Sequence, residues 1–259
     1  MGRLTTTLYR TRTRLLPLLC LAFAANLPGI ASAAASKTLV VYFPEAPPLS
    51  VSGPDGANGI VGDVAIKAIK RAGFTPKLLP LPWNRAQRTV QKGDDLLIIP
   101  LSRTPDREAE YTWIAPVMTM DRAFFSLDKR VDSFEQARNT YARVAVGMGS
   151  AQEQKLREEG FSKEQIYPLK IGDNPAQLLL LGRVDAWFNG VPESRYIWPE
   201  VSSKTLLESP PLMTSDLYLA CSKRCDPALV EDLRKAVDSL RADGTIARIV
   251  SGYVDRPAH

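Results

Sequence analysis

Short apolar runs and amphipathic stretches alternate along the first half of the chain. Thr38–Phe43 and Leu78–Leu81 are apolar runs of strand length. Between them, Gly59–Ala72 carries apolar residues at the three-four spacing of a helix with one buried face. Further along, Tyr111–Pro116 and Arg122–Leu127 are predicted as two separate extended segments. Strands that alternate with helices in this way predict an α/β fold.

One stretch of this half joins a buried strand to a charged loop. Gly93 ends the preceding helix, and Leu96–Ile99 is a continuous apolar run, as expected for a strand covered on both faces. Thr104 and Pro105 then fit the N-cap and the first position of a helix. This spacing places Arg107 in a first helical turn just beyond the carboxyl end of a strand, where open α/β sheets bind ligands.

Arg107 is therefore the first candidate for binding chemistry. Its guanidinium is a rigid fork of donors that suits a carboxylate. The alternative is a surface ion pair with a neighbouring acid, and the candidate partners are Asp106, Glu108 and Glu110. The sequence leaves both interpretations open.

The same pattern restarts beyond a charged segment, Asp128–Asp132. The predicted elements are a strand at Arg143–Gly147, a helix at Ala151–Glu159, a strand at Ile166–Leu169, a helix at Asn174–Leu181, a strand at Val184–Phe188 and a helix from Glu193 to Trp198. A second joint, Glu208–Leu212, precedes an extended segment and a long helix that begins at Asp226 and Pro227. Two joints mean that the chain enters a second lobe and returns. We therefore predict one lobe from residues 37–127 and 213–256, a second from residues 128–212, and a cleft between them.

The first 35 residues differ in composition from the rest. Arg3, Arg10, Arg12 and Arg14 form a positive segment that precedes Leu15–Leu27, an apolar run too short for a comfortable membrane span. Small residues from Ala31 to Ala35 fit cleavage. We interpret residues 1–35 as a secretory signal peptide that is removed; an uncleaved anchor is the alternative. Without those arginines, 29 basic and 28 acidic residues remain, so no basic face for nucleic acid is predicted.

The cysteine and histidine content narrows the chemistry. Two of the three cysteines, Cys221 and Cys225, lie outside the signal segment. In an exported protein their close spacing predicts a short local disulfide. The single histidine, His259, is the last residue. A Cys/His metal site and a Ser-His-Asp or Cys-His catalytic group cannot be assembled from this composition. We expect no metal and no cofactor.

Several short motifs follow one another in a distinctive order. They are Asp95 with its apolar strand, the run from Ser102 to Arg107, the turn Gly147–Ser150, the run Gly182–Ala186 and the C-terminal run Ala242–Ile249. Behind a signal peptide, this order resembles the family 3 periplasmic solute-binding proteins of amino-acid ABC transporters, over essentially the whole mature chain. The resemblance implies a bilobed type II periplasmic binding protein fold, with two α/β lobes and two hinge crossings that close on a ligand.

The resemblance also implies roles for single residues. The family's carboxylate-binding arginine corresponds to Arg107, and its assisting hydroxyl corresponds to Ser102. Its second anion site, made by backbone N–H groups at a helix start, corresponds to Ser150 and Ala151, and helix N-termini suit anions. Asn189, at the end of the second lobe's strand, is a further candidate for ligand contact.

One position departs from the family. Its ammonium-binding aspartate corresponds to Gly190, which carries no acid. The candidate replacements are Glu45, Asp63 and Glu193, and the sequence does not choose among them. Asp63 and Asp185 otherwise fit structural caps.

Several aromatic residues near the predicted cleft are further candidates for ligand contact. Trp83 and Arg85 resemble a pair that lies near the cleft in a subset of the family. Trp83 is either a ring that stacks on the ligand or part of the core. Tyr42 ends the first strand and is placed to reach a ligand. Trp187 and Phe188 alternate on a strand, so one is expected to face the cleft and the other the core.

These observations predict a non-enzymatic binding protein. It would capture a small anionic or zwitterionic solute in the periplasm, as a monomer, and deliver it to an inner-membrane ABC permease. A second hypothesis is an enzyme like the periplasmic cyclohexadienyl dehydratases, which share this fold and convert prephenate or arogenate. That chemistry needs a general acid in the cleft, and Glu193 is the candidate. A third hypothesis is a ligand-sensing partner of a membrane receptor.

Overall fold

A single mixed sheet with helices on its faces organises the chain. The computed structural model describes residues 1–4, 6–7, 36–53 and 58–254. Two compact units are Met1–Ala35 and Ser36–His259, and every element below lies in the second. The strands are β1 (Thr38–Phe43), β2 (Thr75–Pro80), β3 (Leu97–Ser102), β4 (Tyr111–Ser126), β5 (Val144–Gly147), β6 (Ile166–Leu169), β7 (Ala186–Gly190), β8 (Leu207–Glu208) and β9 (Met213–Ser222). The helices are α1 (Ile60–Arg71), α2 (Trp83–Lys92), α3 (Phe134–Thr140), α4 (Ala151–Glu158), α5 (Pro175–Leu180), α6 (Val191–Val201), α7 (Pro227–Ala242) and α8 (Thr245–Val254), with a 3-10 turn at Pro105–Arg107.

The strand order is β2-β1-β3-β9-β4-β7-β5-β6, with β8 added beside β4. At one end β1 pairs in parallel with β2 and β3, and at the other end β5 pairs in parallel with β6 and β7. The two long strands β4 and β9 run antiparallel to their neighbours and connect the parallel ends. The α/β fold class is therefore confirmed, and helices connect the parallel strands as expected of such sheets.

Strand β4 changes partners along its length. Its first part pairs with β9 and its last part pairs with β7. Arg122 is the residue at which the change occurs, because it pairs with both Met213 and Gly190. A strand that is shared in this way is a direct covalent link between the two ends of the sheet.

Separate apolar clusters lie on the two ends. The larger one joins α1, α7 and strands β1, β3 and β9, and the helical spacing of α1 is buried there as predicted. A second cluster surrounds Phe124, whose ring lies 4.6 Å from that of Phe188. A third surrounds Trp187 and Phe125, and a fourth holds Trp83 against β3. One large cluster at the first end of the sheet and smaller clusters elsewhere therefore form the core.

Two local predictions were wrong, and one helix was missed. The extended segments 111–116 and 122–127 are one continuous strand, because two bulges, one before Pro116 and one after it, accommodate the proline within β4. The helix expected after Thr104 is a single 3-10 turn, since β4 begins soon after it at Tyr111. Helix α3, capped by Ser133, was not predicted.

The predicted disulfide is confirmed. Cys221 and Cys225 are bonded at an S–S distance of 2.04 Å, and Cys221 lies in the largest core at the end of β9. The predicted signal peptide, apart from residues 1–4 and 6–7, lies outside the described residues. Among the residues that are described, no helix is long and apolar enough to cross a membrane.

Candidate functional site

Arg107 is buried at the carboxyl end of β3. It is 8% exposed, although it lies in a short turn rich in charge. Its Nη1 donates to the Ser102 carbonyl at 3.2 Å and its Nη2 to the Gly149 carbonyl at 2.9 Å. Burial lowers the pKa of the guanidinium from its usual value, against the opposing attraction of Asp106.

The alternative of a surface ion pair for Arg107 is wrong. Glu108, one of the three candidate partners, accepts instead from Arg103 on the outside of the turn. Within the described part of the chain, Arg107 forms no ion pair. A buried cation without a counter-ion is costly unless a ligand supplies the charge, so this guanidinium is placed to receive an anion.

A second buried arginine lies beside it. Arg122 is 0% exposed; its Nη1 donates to the Met120 carbonyl and the Ser215 hydroxyl, and its Nη2 donates to the Ser102 hydroxyl at 2.8 Å. Its Nε has no partner among the described residues. Burial lowers its pKa to about 10, against the opposing attraction of Glu193. Sequence reasoning missed Arg122; the only signal was its position inside an apolar run.

The carbonyl of Gly149 gathers donors from several elements. Trp83 Nε1 donates to it at 3.0 Å and Gln87 Nε2 at 3.2 Å, in addition to Arg107. Gly149 has φ +72°, and a Cβ there would collide with the Asn84 side chain. Only glycine therefore allows this turn, at the start of α4, to approach α2 so closely.

These groups line two adjoining chambers. The head chamber, about 50 Å³, contains the two arginines and is lined by Trp83, Ser102, Arg107, Met120, Arg122, Ser150, Ala151, Gln152 and Glu193, among others. The side chamber, about 240 Å³, is lined by Val146, Gln152, Leu169, Ile171, Pro175, Trp187, Asn189, Glu193 and Ile197, among others. Ser150, Gln152, Ile171 and Glu193 line both, so the chambers meet there.

Glu193 is the acid at this junction. It lies partly buried in the first turn of α6, where no described residue forms an ion pair or hydrogen bond with its carboxyl. Burial raises its pKa to about 7, although Arg122 opposes the shift. A Cβ at Gly190 would collide with Glu193 Oε2. The carboxyl of Glu193 therefore occupies the space into which a side chain at position 190 would project.

The structure brings together most of the sequence candidates. Ser102, Arg107, Trp83, Ser150 and Ala151 line the head chamber, and Asn189 lines the side chamber. Trp83 belongs to the core, where it is 5% exposed, and it also borders the head chamber, so the two interpretations do not exclude each other. Trp187 faces the side chamber, whereas Phe188 packs in the core around Phe124, as the alternation predicted.

Three candidates lie elsewhere. Arg85 is exposed and lines neither chamber, because α2 turns Trp83, Ala86 and Val90 inward and therefore turns Arg85 outward. Tyr42 is partly buried against the core around Trp83 and also lines neither chamber.

The third is Glu45, which borders an outer cavity of about 450 Å³. Its carboxylate accepts from the Ser52 N–H at 3.1 Å.

The two acids expected to be structural caps make structural contacts. Asp63 accepts from Asn58 N–H and from the Tyr253 hydroxyl, and Asp185 accepts from Arg143 N–H. No set of three potential metal ligands lies together in the described ranges.

A comparison with models of known protein families assigns the chain to one family. The model of the bacterial extracellular solute-binding proteins, family 3, matches residues 39–256. A search of curated proteins found no match.

Solved structures share the fold. The arginine-, lysine-, histidine-binding protein ArtJ from Geobacillus stearothermophilus has a TM-score of 0.74 at 15% identity and covers 85% of this chain and 96% of its own. An ABC uptake transporter substrate-binding protein from Streptococcus pneumoniae with bound histidine has a TM-score of 0.72 at 16% identity, covering 85% and 93%. AncCDT-1, an ancestral amino-acid-binding protein and precursor of cyclohexadienyl dehydratase, has a TM-score of 0.72 at 22% identity, covering 84% and 95%. At these identities the likeness establishes the fold, that of type II periplasmic binding proteins.

Proposed function

Because the chain belongs to the bacterial extracellular solute-binding proteins of family 3, we propose that it captures an amino acid or a close carboxylate-bearing analogue for an ABC permease. The observation that carries this proposal is the Arg107 guanidinium. It is buried, it borders the head chamber, and it has no ion-pair partner in the described part of the chain. A ligand carboxylate supplies the missing charge.

The head chamber offers matching groups for both ends of a zwitterion. Ser102 Oγ accepts from Arg122, so its own proton is available to a ligand carboxylate beside Arg107. Glu193 lies at the junction of the chambers and has no ion-pair partner among the described side chains. Its carboxylate is the group that would receive a ligand ammonium, in place of the acid absent from Gly190.

The cellular setting follows from the family and from the N-terminus. We propose that residues 1–35 are a cleaved signal peptide, that the mature chain acts in the periplasm as a monomer, and that an inner-membrane ABC permease receives the ligand. A membrane receptor that binds the loaded protein is the alternative partner. ArtJ binds arginine, lysine and histidine; these ligands are properties of that protein.

Closure would use the division into lobes predicted from the sequence, with residues 37–127 and 213–256 in one lobe and residues 128–212 in the other. The partner exchange at Arg122 lies near a crossing between them. The Gly149 carbonyl then belongs to one lobe and its donors Trp83, Gln87 and Arg107 to the other. These hydrogen bonds would stabilise the closed form.

The Gln87 side chain donates to the Gly149 carbonyl but lines neither chamber. A substitution at Gln87 therefore tests whether these hydrogen bonds stabilise the closed form. We expect Gln87→Ala to speed ligand dissociation about five-fold, since one hydrogen bond contributes about 1 kcal/mol to the closed form. Stopped-flow release of a bound ligand measures this rate. Arg88→Ala, an exposed neighbour on the same helix, is the matched control. Equal rates for Gln87→Ala and wild type would rule out the stabilising role.

Calorimetry of the mature protein tests the proposed function itself. The titration set is the common amino acids, small monocarboxylates and dicarboxylates, and short peptides. We expect saturable binding of at least one amino acid. Absence of heat with every compound, together with no small molecule released on denaturing the purified protein, would reject the proposal.

Two points favour the enzymatic alternative. Glu193 has a pKa near 7 in the cavity, as a general acid requires, and AncCDT-1 is a precursor of a dehydratase. We propose binding without catalysis, because the acid also has the position of a ligand partner. Incubation with prephenate should leave it unconverted; formation of phenylpyruvate above the buffer rate would establish the enzyme.

A further inference from the structure

The walls of the side chamber are mainly apolar. They include the buried side chains of Val146, Pro175 and Trp187 and the partly buried Ile171 and Ile197. Apolar walls favour an apolar guest, at roughly 25 cal/mol for each Å² removed from water. The chamber therefore suits the body of a ligand whose charged groups are held elsewhere.

The charged residues of the chamber lie at its two ends. Lys170 and Asp173 are exposed at the outer rim, and their opposite charges offset each other in solvent. Glu193 lies at the inner end, where Arg122 influences its titration. The other polar side chains of the lining are uncharged: Ser150, Gln152, Asn174 and Asn189. Of the two carboxyl groups, that of Asp173 is exposed to solvent and that of Glu193 is the one proposed to receive the ligand ammonium. The terminal cation of a bound lysine would therefore lose its water without a buried counter-ion of its own.

The size of the chamber limits the guest. Its volume of about 240 Å³ is many times the roughly 10–15 Å³ that a cavity needs to hold one water molecule. A leucine, methionine or phenylalanine side chain fits this space. The much smaller head chamber, about 50 Å³, has room for a carboxylate but not for such a side chain.

We propose that the ligand is an amino acid with a neutral, largely apolar side chain, which lies in the side chamber while its head group meets Arg107 and Glu193. This inference rests on the proposed function and adds the class of side chain. It predicts discrimination against lysine and arginine, whose side chains end in a cation. The chain would therefore differ in selectivity from its arginine-binding structural neighbours, although the fold is shared.

Norleucine and lysine form the sharpest pair of probes, because they share a four-carbon stem and differ by the terminal ammonium. We expect wild-type protein to bind norleucine at least about 100-fold more tightly than lysine, since a buried group without a partner is strongly penalised. Calorimetry at pH 8 and 0.15 M salt measures both affinities. Equal binding, or tighter binding of lysine, would overturn the side-chain assignment and leave the proposed function standing.

Ile197→Asp tests where the side chain lies. Ile197 borders the chamber, and a carboxylate there supplies the counter-ion that lysine lacks. We expect the norleucine-to-lysine ratio to fall by 10-fold or more. Tyr196→Asp adds the same charge at an exposed neighbour, 44% exposed, and should keep the wild-type ratio.

The outcomes separate the two proposals. A folded Ile197→Asp protein with an unchanged ratio would contradict the assignment of the side chain to this chamber. If circular dichroism shows that the variant is unfolded, the wild-type ratio decides alone. Binding of neither probe nor any other amino acid would reject the proposed function, and the side-chain class would fall with it.

Discussion

Arg107→Met should weaken amino-acid binding by about 100- to 1000-fold. Truncating one partner of a buried, hydrogen-bonded charge pair costs roughly 2–5 kcal/mol, because the ligand carboxylate is left without its counter-ion. Methionine keeps much of the length and the apolar stem of the side chain but has no donor. Calorimetry with the best wild-type ligand measures the loss, and wild-type affinity in this variant would show that the carboxylate binds elsewhere.

Arg103→Met is the matched control. Arg103 lies just before the same turn, but its side chain is 41% exposed and pairs with Glu108 at the surface. Exposed ion pairs contribute little, so binding should stay within about two-fold of wild type. Arg107 also donates to the Gly149 carbonyl. The Gln87→Ala result measures one hydrogen bond of this kind, and the excess loss in Arg107→Met is then due to the ligand contact.

Glu193→Gln should weaken binding of norleucine about 10- to 100-fold and leave hexanoate, its analogue without the amino group, nearly unchanged. A charge-assisted hydrogen bond contributes roughly 1.5–3 kcal/mol, and only the amino acid can make it. Glu200→Gln, at an exposed position of the same helix, is the control and should match wild type for both ligands. An equal loss for both ligands would mean that Glu193 does not contact the amino group.

The pH dependence of binding follows from the same carboxyl. Its pKa is raised to about 7 by burial, and an ammonium is attracted by the ionised form only. Norleucine affinity should therefore fall by up to about ten-fold per pH unit below 7, and Glu193→Gln should remove this slope. Affinity of wild-type protein that stays constant from pH 8 to pH 5 would contradict the assignment.

The free energy of unfolding of the ligand-free protein should fall as pH rises, whereas the affinity for norleucine rises. Because the pKa is raised in the folded state, the folded protein binds the proton more strongly than the unfolded chain between about pH 4.5 and 7. The free energy of unfolding gained from this group is present at the acid end and is lost as pH rises through that window. Denaturant titrations of wild type and Glu193→Gln at the two ends would show the difference.

Periodicity placed most elements correctly, and the errors have physical causes. The three-four spacing of α1 and the apolar run of β3 are local features, and each was found close to its observed bounds. Strand β4 was divided in two because a proline such as Pro116 usually ends a strand, whereas the bulges that absorb it depend on pairing with β9. Helix α3 has a good cap at Ser133 but a weak apolar pattern.

The candidate site was predicted in part. Arg107, Ser102 and Ser150 come from short motifs, and the structure places all three around the head chamber. Arg85 was misplaced because sequence distance from Trp83 says nothing about which side of α2 faces the chamber. Arg122 was missed because an arginine in a strand is usually exposed, and its burial depends on carbonyl and hydroxyl acceptors from other segments.

By itself the sequence determined the α/β class, the order of the elements, the disulfide partners and an arginine just beyond a buried strand. These properties depend on neighbours in the chain, and periodicity and short motifs record them. Only the tertiary structure decided which charges share a cavity. Arg107, Arg122 and Glu193 border one chamber because β9 joins β3 to β4 in the sheet and α6 packs against β4. Burial of an ionised group depends on all the segments that surround it, and the local sequence does not record them.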